Sequence, residues 1–143
     1  MAIKPITLIE AEFIAHAAAI ELMNFTDEPI PPFNTRYPGR LESCLAQPFQ
    51  TFDGKYLHYT FIERAAVLFY MIASSQCFVN GNKRMAVTLT TVFFFINKRW
   101  IDIPPRSLYD LACSVGASDT ADQDAICKIL IDTFKKFVVP LTD

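Results

Sequence analysis

The chain has only two histidines and four glycines among 143 residues, and its charges nearly cancel. Each shortage removes a class of function. Thirteen basic residues stand against 15 acidic ones, a formal net charge of -2. No broad basic face is left to neutralise many phosphates, which argues against general DNA or RNA binding. The only histidines are His16 and His58, and Cys44, Cys77, Cys113 and Cys127 form no CxxC pair. That spacing composes no metal-ligand cluster and reads as buried free thiols in a reducing, cytoplasmic setting. The longest apolar run, Met85 to Ile96, falls short of the roughly 20 residues that span a bilayer. No basic stretch leads into an apolar core and cleavage site at the N-terminus. A membrane partner is therefore not expected.

What is present is a core. The chain is 52% hydrophobic and 20% charged, a balance suited to one globular domain over residues 1–143. Thr7 and Glu10 form a capping box before an apolar stripe of Ile9, Phe13, Ile14, Ala17, Ile20 and Leu22, predicting a first helix to about Asn24. Pro29, Pro31, Pro32 and Pro38 exclude a helix interior from Phe25 to Pro38. A short helix follows at Arg40 to Ala46. Phe49-Gln50-Thr51-Phe52, Asp53-Gly54 and Lys55-Tyr56-Leu57-His58 read as a hairpin, because Asp-Gly suits the positive φ angles of a type I′ turn. Thr60 and Glu63 form a second capping box, opening a helix over Phe61–Ser75 that is apolar nearly all round. Another runs from Asn82 to Lys98. Such helices belong in the centre of a domain. Pro104-Pro105 begins a helix that Gly116 ends, with Gly116 as its C-terminal cap. A last amphipathic helix, Thr120 to Phe137, turns Ile126, Ile129, Leu130 and Phe134 inward. Phe93-Phe94-Phe95 reads as core, and Trp100 as a cap on the preceding helix. The expected fold is mainly α, with five or six helices and one β-hairpin flap.

Between the two apolar helices lies Gln76-Cys77-Phe78-Val79-Asn80-Gly81-Asn82-Lys83-Arg84. Gly81 permits backbone conformations closed to other residues, just before a helix whose first N–H groups lack intrahelical partners. That combination suits an anion. Lys83 and Arg84 fall in the first helical turn, where positive charge opposes the helix dipole unless an anion or acidic neighbour compensates. Cys77 beside a helix start is a candidate nucleophile in principle, but reads better as a small apolar residue.

The segment resembles the Fic/Doc family signature, His-x-Phe-x-Asp/Glu-Gly-Asn-Gly/Lys-Arg, at Phe78, Gly81, Asn82, Lys83 and Arg84. Leu41-Glu42-Ser43 with Pro48 to Phe52 is similar to the stretch leading into the family's flap, and Ala65-Ala66 with Leu68 to the helix before the motif. The likeness covers roughly residues 40–116. It implies a Fic/Doc-type helical domain that binds ATP or another nucleotide with Mg²⁺ and transfers a phosphoryl or AMP group to a protein hydroxyl. It implies an anion nest at Gly81 and Asn82, phosphate contacts from Lys83 and Arg84, Phe78 as the anchor of the loop, and a target flap carrying Phe49, Gln50, Thr51, Phe52 and Gly54. Lys83 resembles the Doc branch, which implies a toxin acting on an elongation factor Tu-like target and restrained by a separate antitoxin chain. No match to the family's inhibitory helix pattern, Ser/Thr-x-x-x-Glu-Gly/Asn, occurs.

Two positions depart from the signature. The catalytic histidine maps onto Gln76, whose amide does not titrate and cannot act as a general base. The metal-binding acid maps onto Asn80, which offers Mg²⁺ a carbonyl without formal charge. These changes imply reduced or lost canonical transfer, or a nucleotide-binding pseudoenzyme or regulatory module on the same fold. His58, at the end of the flap, is the candidate replacement base.

Overall fold

The computed structural model describes residues 2–13, 17, 38–75, 77–78 and 81–141. In chain order it has α1 (residues 8–13), α2 (Pro38–Ala46), a 3-10 turn (Gln47–Phe49), β1 (Thr51–Phe52) and β2 (Lys55–Tyr56). Then follow α3 (Phe61–Ser74), α4 (Asn82–Ile96), β3 (Arg99–Ile101), α5 (Pro105–Gly116), a second 3-10 turn (Thr120–Asp122), α6 (Gln123–Phe137) and β4 (Val138–Pro140). The architecture is mainly α, as expected. Expectations for His16, Ile14, Ile20, Leu22, the proline-rich segment before residue 38, Gln76 and Asn80 lie outside the described residues.

Both capping boxes form. The Glu10 N–H donates to Thr7 Oγ1 at 3.2 Å, and the Thr7 N–H returns a bond to Glu10 Oε1 at 3.1 Å. The Thr7 hydroxyl also donates to Glu10 Oε1 at 2.8 Å, and this bond, with the one from the Thr7 N–H, holds the Glu10 carboxyl below the usual carboxylate range. At α3 the Glu63 N–H donates to Thr60 Oγ1 at 3.1 Å, and that hydroxyl donates to Glu63 Oε1 at 3.0 Å. The second box therefore closes through the hydroxyl.

Helices α3 and α4 form the hub, with α2, α5 and α6 packed around them. Their apolar surfaces explain this: Ala65, Phe69 and Ile72 of α3 and Met85, Leu89 and Phe94 of α4 are fully buried. A chain of rings ties the layers together. Phe49 meets Phe93 edge-on, Phe93 stacks on Phe61 at 5.0 Å, and Phe61 meets Phe94 edge-on at 5.4 Å. Phe94 and Phe69 both present edges to Phe134 of α6. Such geometry adds about 0.5–1.5 kcal/mol per pair beyond area burial.

The far end of α4 is tied down by one side chain. Asn97 accepts from the Lys4 N–H at 2.7 Å and donates to the Lys4 carbonyl at 3.0 Å and the Phe93 carbonyl at 2.9 Å. Lys98 then turns the chain with φ 61. It leads into β3, which pairs antiparallel with β4 in the register Arg99↔Pro140, Trp100↔Val139 and Ile101↔Val138.

This ribbon is the main departure from expectation, which had one hairpin. Three-residue strands this far apart in sequence leave no alternating pattern long enough to read. Trp100 consequently sits in a strand and is partly exposed, rather than capping α4, which ends at Ile96. Helix α2 begins at Pro38, since proline suits a first helical turn. Helix α3 stops at Ser74. A 3-10 turn precedes α6, and Ile129 faces outward. Ile9, Phe13 and Phe95 are also exposed, while Ala11 is buried on α1. In each case periodicity marked an apolar face wider than the face that packs. Gly116 is not a left-handed cap: the capping residue is Ala117, with φ -88.

Candidate phosphate-binding site

The site is built by the turn into α4. Gly81 is the N-cap in the left-handed region, φ 78 and ψ 25, and among the described residues no side chain caps the helix. The first intrahelical bond runs from the Met85 N–H to the Gly81 carbonyl at 2.9 Å. The N–H groups of Asn82, Lys83 and Arg84 thus precede the helical ladder, at the positive end of a 15-residue helix.

Asn82 closes the turn. Its Oδ1 accepts from the Phe78 N–H at 3.0 Å, and its Nδ2 donates to the Phe78 carbonyl at 3.2 Å. The side-chain amide is therefore engaged with backbone, and its own N–H lies ahead of the helical ladder. Phe78 is fully buried and fixes the turn to the core. The same device, an asparagine amide gripping both polar groups of one residue, pins α4 at each end.

The two basic side chains part. Arg84 is buried, 3% exposed. Lys83 reaches across to the C-terminal ends of α3 and α5. A Cβ on Gly116 would lie 2.9 Å from Lys83 Cε, 3.5 Å from its Nζ and 3.1 Å from the Ala73 carbonyl oxygen. Gly116 is thus required for close packing. Its place after an apolar run is also what a cap looks like, which is why sequence reasoning misassigned it.

The hairpin is shorter than its sequence span. Thr51 pairs with Tyr56 and Phe52 with Lys55 around Asp53 (φ 53) and Gly54 (φ 77), the positive φ values expected of an Asp-Gly turn. Phe49 stands outside it, in the 3-10 turn, packed on Phe93. Gln50 accepts from the Leu57 N–H at 3.0 Å and closes the base. Phe52 projects into solvent, as do Leu57 and Tyr59. A groove of about 730 Å³ runs beside the flap, lined by Pro5, Thr7, Glu42, Ser43, Phe49 and Thr51 among others.

Arg64, which sequence reasoning missed, holds this flap to α3. Its Nε donates to the His58 carbonyl at 2.9 Å, and its guanidinium lies 4.3 Å from the Tyr56 ring centroid and 4.9 Å from that of Phe49. The side chain is 6% exposed. A lone arginine in an apolar helix was the available signal, since a buried charge needs partners. Its grip on His58 is through the backbone, and the imidazole is half-buried.

A family model described as the Fic/DOC family matches residues 8–94, more than half of the chain. The chain belongs to the Fic/DOC family. No curated protein and no solved structure matches it. The family is one of nucleotidyl or phosphoryl transfer folds, whose members generally bind a nucleotide with Mg²⁺ and typically pair with target proteins and antitoxins. The α4 N-terminus fits the anionic part of such a ligand. Mg²⁺ finds less: among the described residues no group of three or more His, Cys, Asp or Glu assembles. No helix among them is long and apolar enough to cross a membrane.

Proposed function

We propose that residues 1–143 act as one Fic/Doc-type domain that binds the phosphates of a nucleotide, ATP or another, at the turn and first helical residues 81–84. The observation that carries this is the uncapped start of α4 behind a left-handed Gly81, with buried Arg84 in its first turn. In this proposal the N–H groups from Gly81 onward receive phosphate oxygens, and Arg84 supplies the charge. Asn82 holds the turn, and Lys83 braces α3 and α5. The flap residues Thr51, Phe52 and Gly54 present a segment of a protein target, an elongation factor Tu-like protein by family likeness, by strand addition. Gln50 and Phe49 anchor the base of that flap. An antitoxin chain is the restraining partner the Doc branch suggests.

Transfer requires a target hydroxyl oxygen to form a bond to phosphorus while the bond to the leaving phosphate oxygen breaks. The hydroxyl proton must go to a base. Gln76 stands at that position in the chain, and its amide does not take up protons near neutral pH. Loss of such a base lowers rate by about 10²–10⁴-fold. The expected activity is therefore weak or absent transfer with nucleotide binding retained.

The test compares this chain with its Gln76→His, Asn80→Asp version, each given labelled ATP, Mg²⁺ and a cell extract. Protein labelling by the double variant alone supports a transferase scaffold switched off at two positions. Equal labelling by both contradicts the loss of the base and makes His58 the next residue to change. Failure of both to label or to bind ATP removes the proposal. The alternative, a regulatory nucleotide-binding module, is favoured by Gln76 and Asn80 together. It predicts ATP binding without labelling by this chain or by the double variant.

A further inference from the structure

The turn into α4 carries a second chemistry that phosphate binding does not use. Cys44 of α2 and Cys77, which precedes Phe78 in the turn, come from segments 33 residues apart, and their Sγ atoms lie 3.6 Å from each other. Both thiols are buried. Two sulfurs at van der Waals contact need close by only about 1.5 Å to reach the bonded distance of roughly 2.05 Å. Cys113 and Cys127 are half-buried free thiols and serve as internal controls.

We infer that Cys44 and Cys77 form a site of reversible oxidation, in which a peroxide converts the pair to a disulfide that ties α2 to the motif turn. The Cys44 thiolate attacks one peroxide oxygen, giving a sulfenic acid and releasing hydroxide. The Cys77 sulfur then attacks the sulfenic sulfur, the S–S bond forms, and water leaves once the Cys77 proton is taken up. In sum, two thiols and one hydrogen peroxide give one disulfide and two waters, a two-electron oxidation of the pair. Burial favours a small uncharged oxidant over a protein disulfide. Cys44 suits the attacking role. The hydrogen bond with Cys77 lowers its thiol from the ordinary range, opposed by burial and assisted by the Ser75 hydroxyl and the Arg40 guanidinium. The same bond, with burial, pushes Cys77 well up, which fits the resolving role.

The consequence reaches the candidate site through a short path. Cys77 adjoins Phe78, whose N–H and carbonyl are both held by Asn82 at the start of α4. A disulfide at residue 77 fixes that turn from its other side. The inference does not depend on phosphate binding, and neither does its test.

The full chain is treated with hydrogen peroxide under native conditions and quenched, and free thiols, mass and digest peptides are then measured after denaturation in the presence of an alkylating agent. The expected result is loss of two of the four thiols, a mass decrease of about 2 Da and a peptide linking Cys44 to Cys77, all reversed by dithiothreitol. The oxidised form should melt several degrees higher, as expected for closing a loop of this length. Amide exchange at residues 81–85 should slow. Cys44→Ala should keep its three thiols through the treatment and form no link. Cys113→Ala should behave as the parent. Persistence of four titratable thiols, a link through Cys113 or Cys127, or equal exchange rates at 81–85 in both forms would overturn the inference. The peptide map of the unmodified chain keeps the test decisive if Cys44→Ala does not fold.

Discussion

The two central helices begin in opposite ways. Helix α3 starts from Thr60, whose hydroxyl receives the Glu63 N–H, and places a carboxylate in its first turn. Helix α4 starts from Gly81 with no side-chain cap and places Lys83 and Arg84 there. One end follows the rules of helix stability and the other reverses them, although both helices lie in the same core. Each also carries a buried arginine near its start. Arg64 is matched by the flap, through the His58 carbonyl and two aromatic faces. Arg84 lies beside N–H groups that the helix itself leaves unused. A helix start in which every rule is satisfied builds the fold, and one in which the rules are set aside is where we propose that an external anion binds.

The contrast can be broken from either side. The largest effect is expected at Arg64. Arg64→Ala removes a charge-assisted bond and two ring contacts, so denaturant unfolding should show a loss of about 3 kcal/mol. Amide exchange at Leu57 should quicken while ATP affinity holds. A loss of affinity there would mean that the flap and the phosphate site are not separable. Next comes Gly81→Ala, which forces a Cβ onto a left-handed φ. The strain should cost about 1–2 kcal/mol and weaken ATP binding along with it. Thr60→Ala should cost about 1 kcal/mol, or roughly 2–4 °C in melting temperature, and leave binding unchanged. If it weakens binding as much as Gly81→Ala, the two helix starts are not functionally distinct. The smallest change is a gain. The Thr88 hydroxyl is fully buried in α4 and finds no hydrogen-bond partner among the described residues. Thr88→Val should therefore stabilise by up to about 1 kcal/mol in the same unfolding measurement.

The α3 side of this comparison was legible in the sequence, because capping boxes, an all-round apolar run and an Asp-Gly turn are local signals. The left-handed Gly81 was legible too, from its place before a helix. What escaped is long-range. The amide of Asn82 serves Phe78, and the amide of Asn97 serves Lys4 across 93 residues of chain. The β3–β4 ribbon joins the end of α4 to the end of α6. Gly116 is small because Lys83 and Ala73 converge on it. Cys44 and Cys77 meet only in three dimensions. None of these depends on periodicity, so no pattern along the chain announces them. The stripe on α1 failed at Ile9 and Phe13 for the opposite reason: the pattern was present, but the packed face is narrower than the apolar one.

The most direct test of the central claim is a calorimetric titration of ATP into the unmodified chain and into Arg84→Ala, with thermal unfolding recorded for both. Binding by the parent and at least a tenfold loss in the variant, with the fold retained, is the predicted result, since a charge-assisted bond contributes about 1.5–3 kcal/mol. Equal affinities, or no binding by the parent, would contradict the assignment of the α4 N-terminus as a phosphate site.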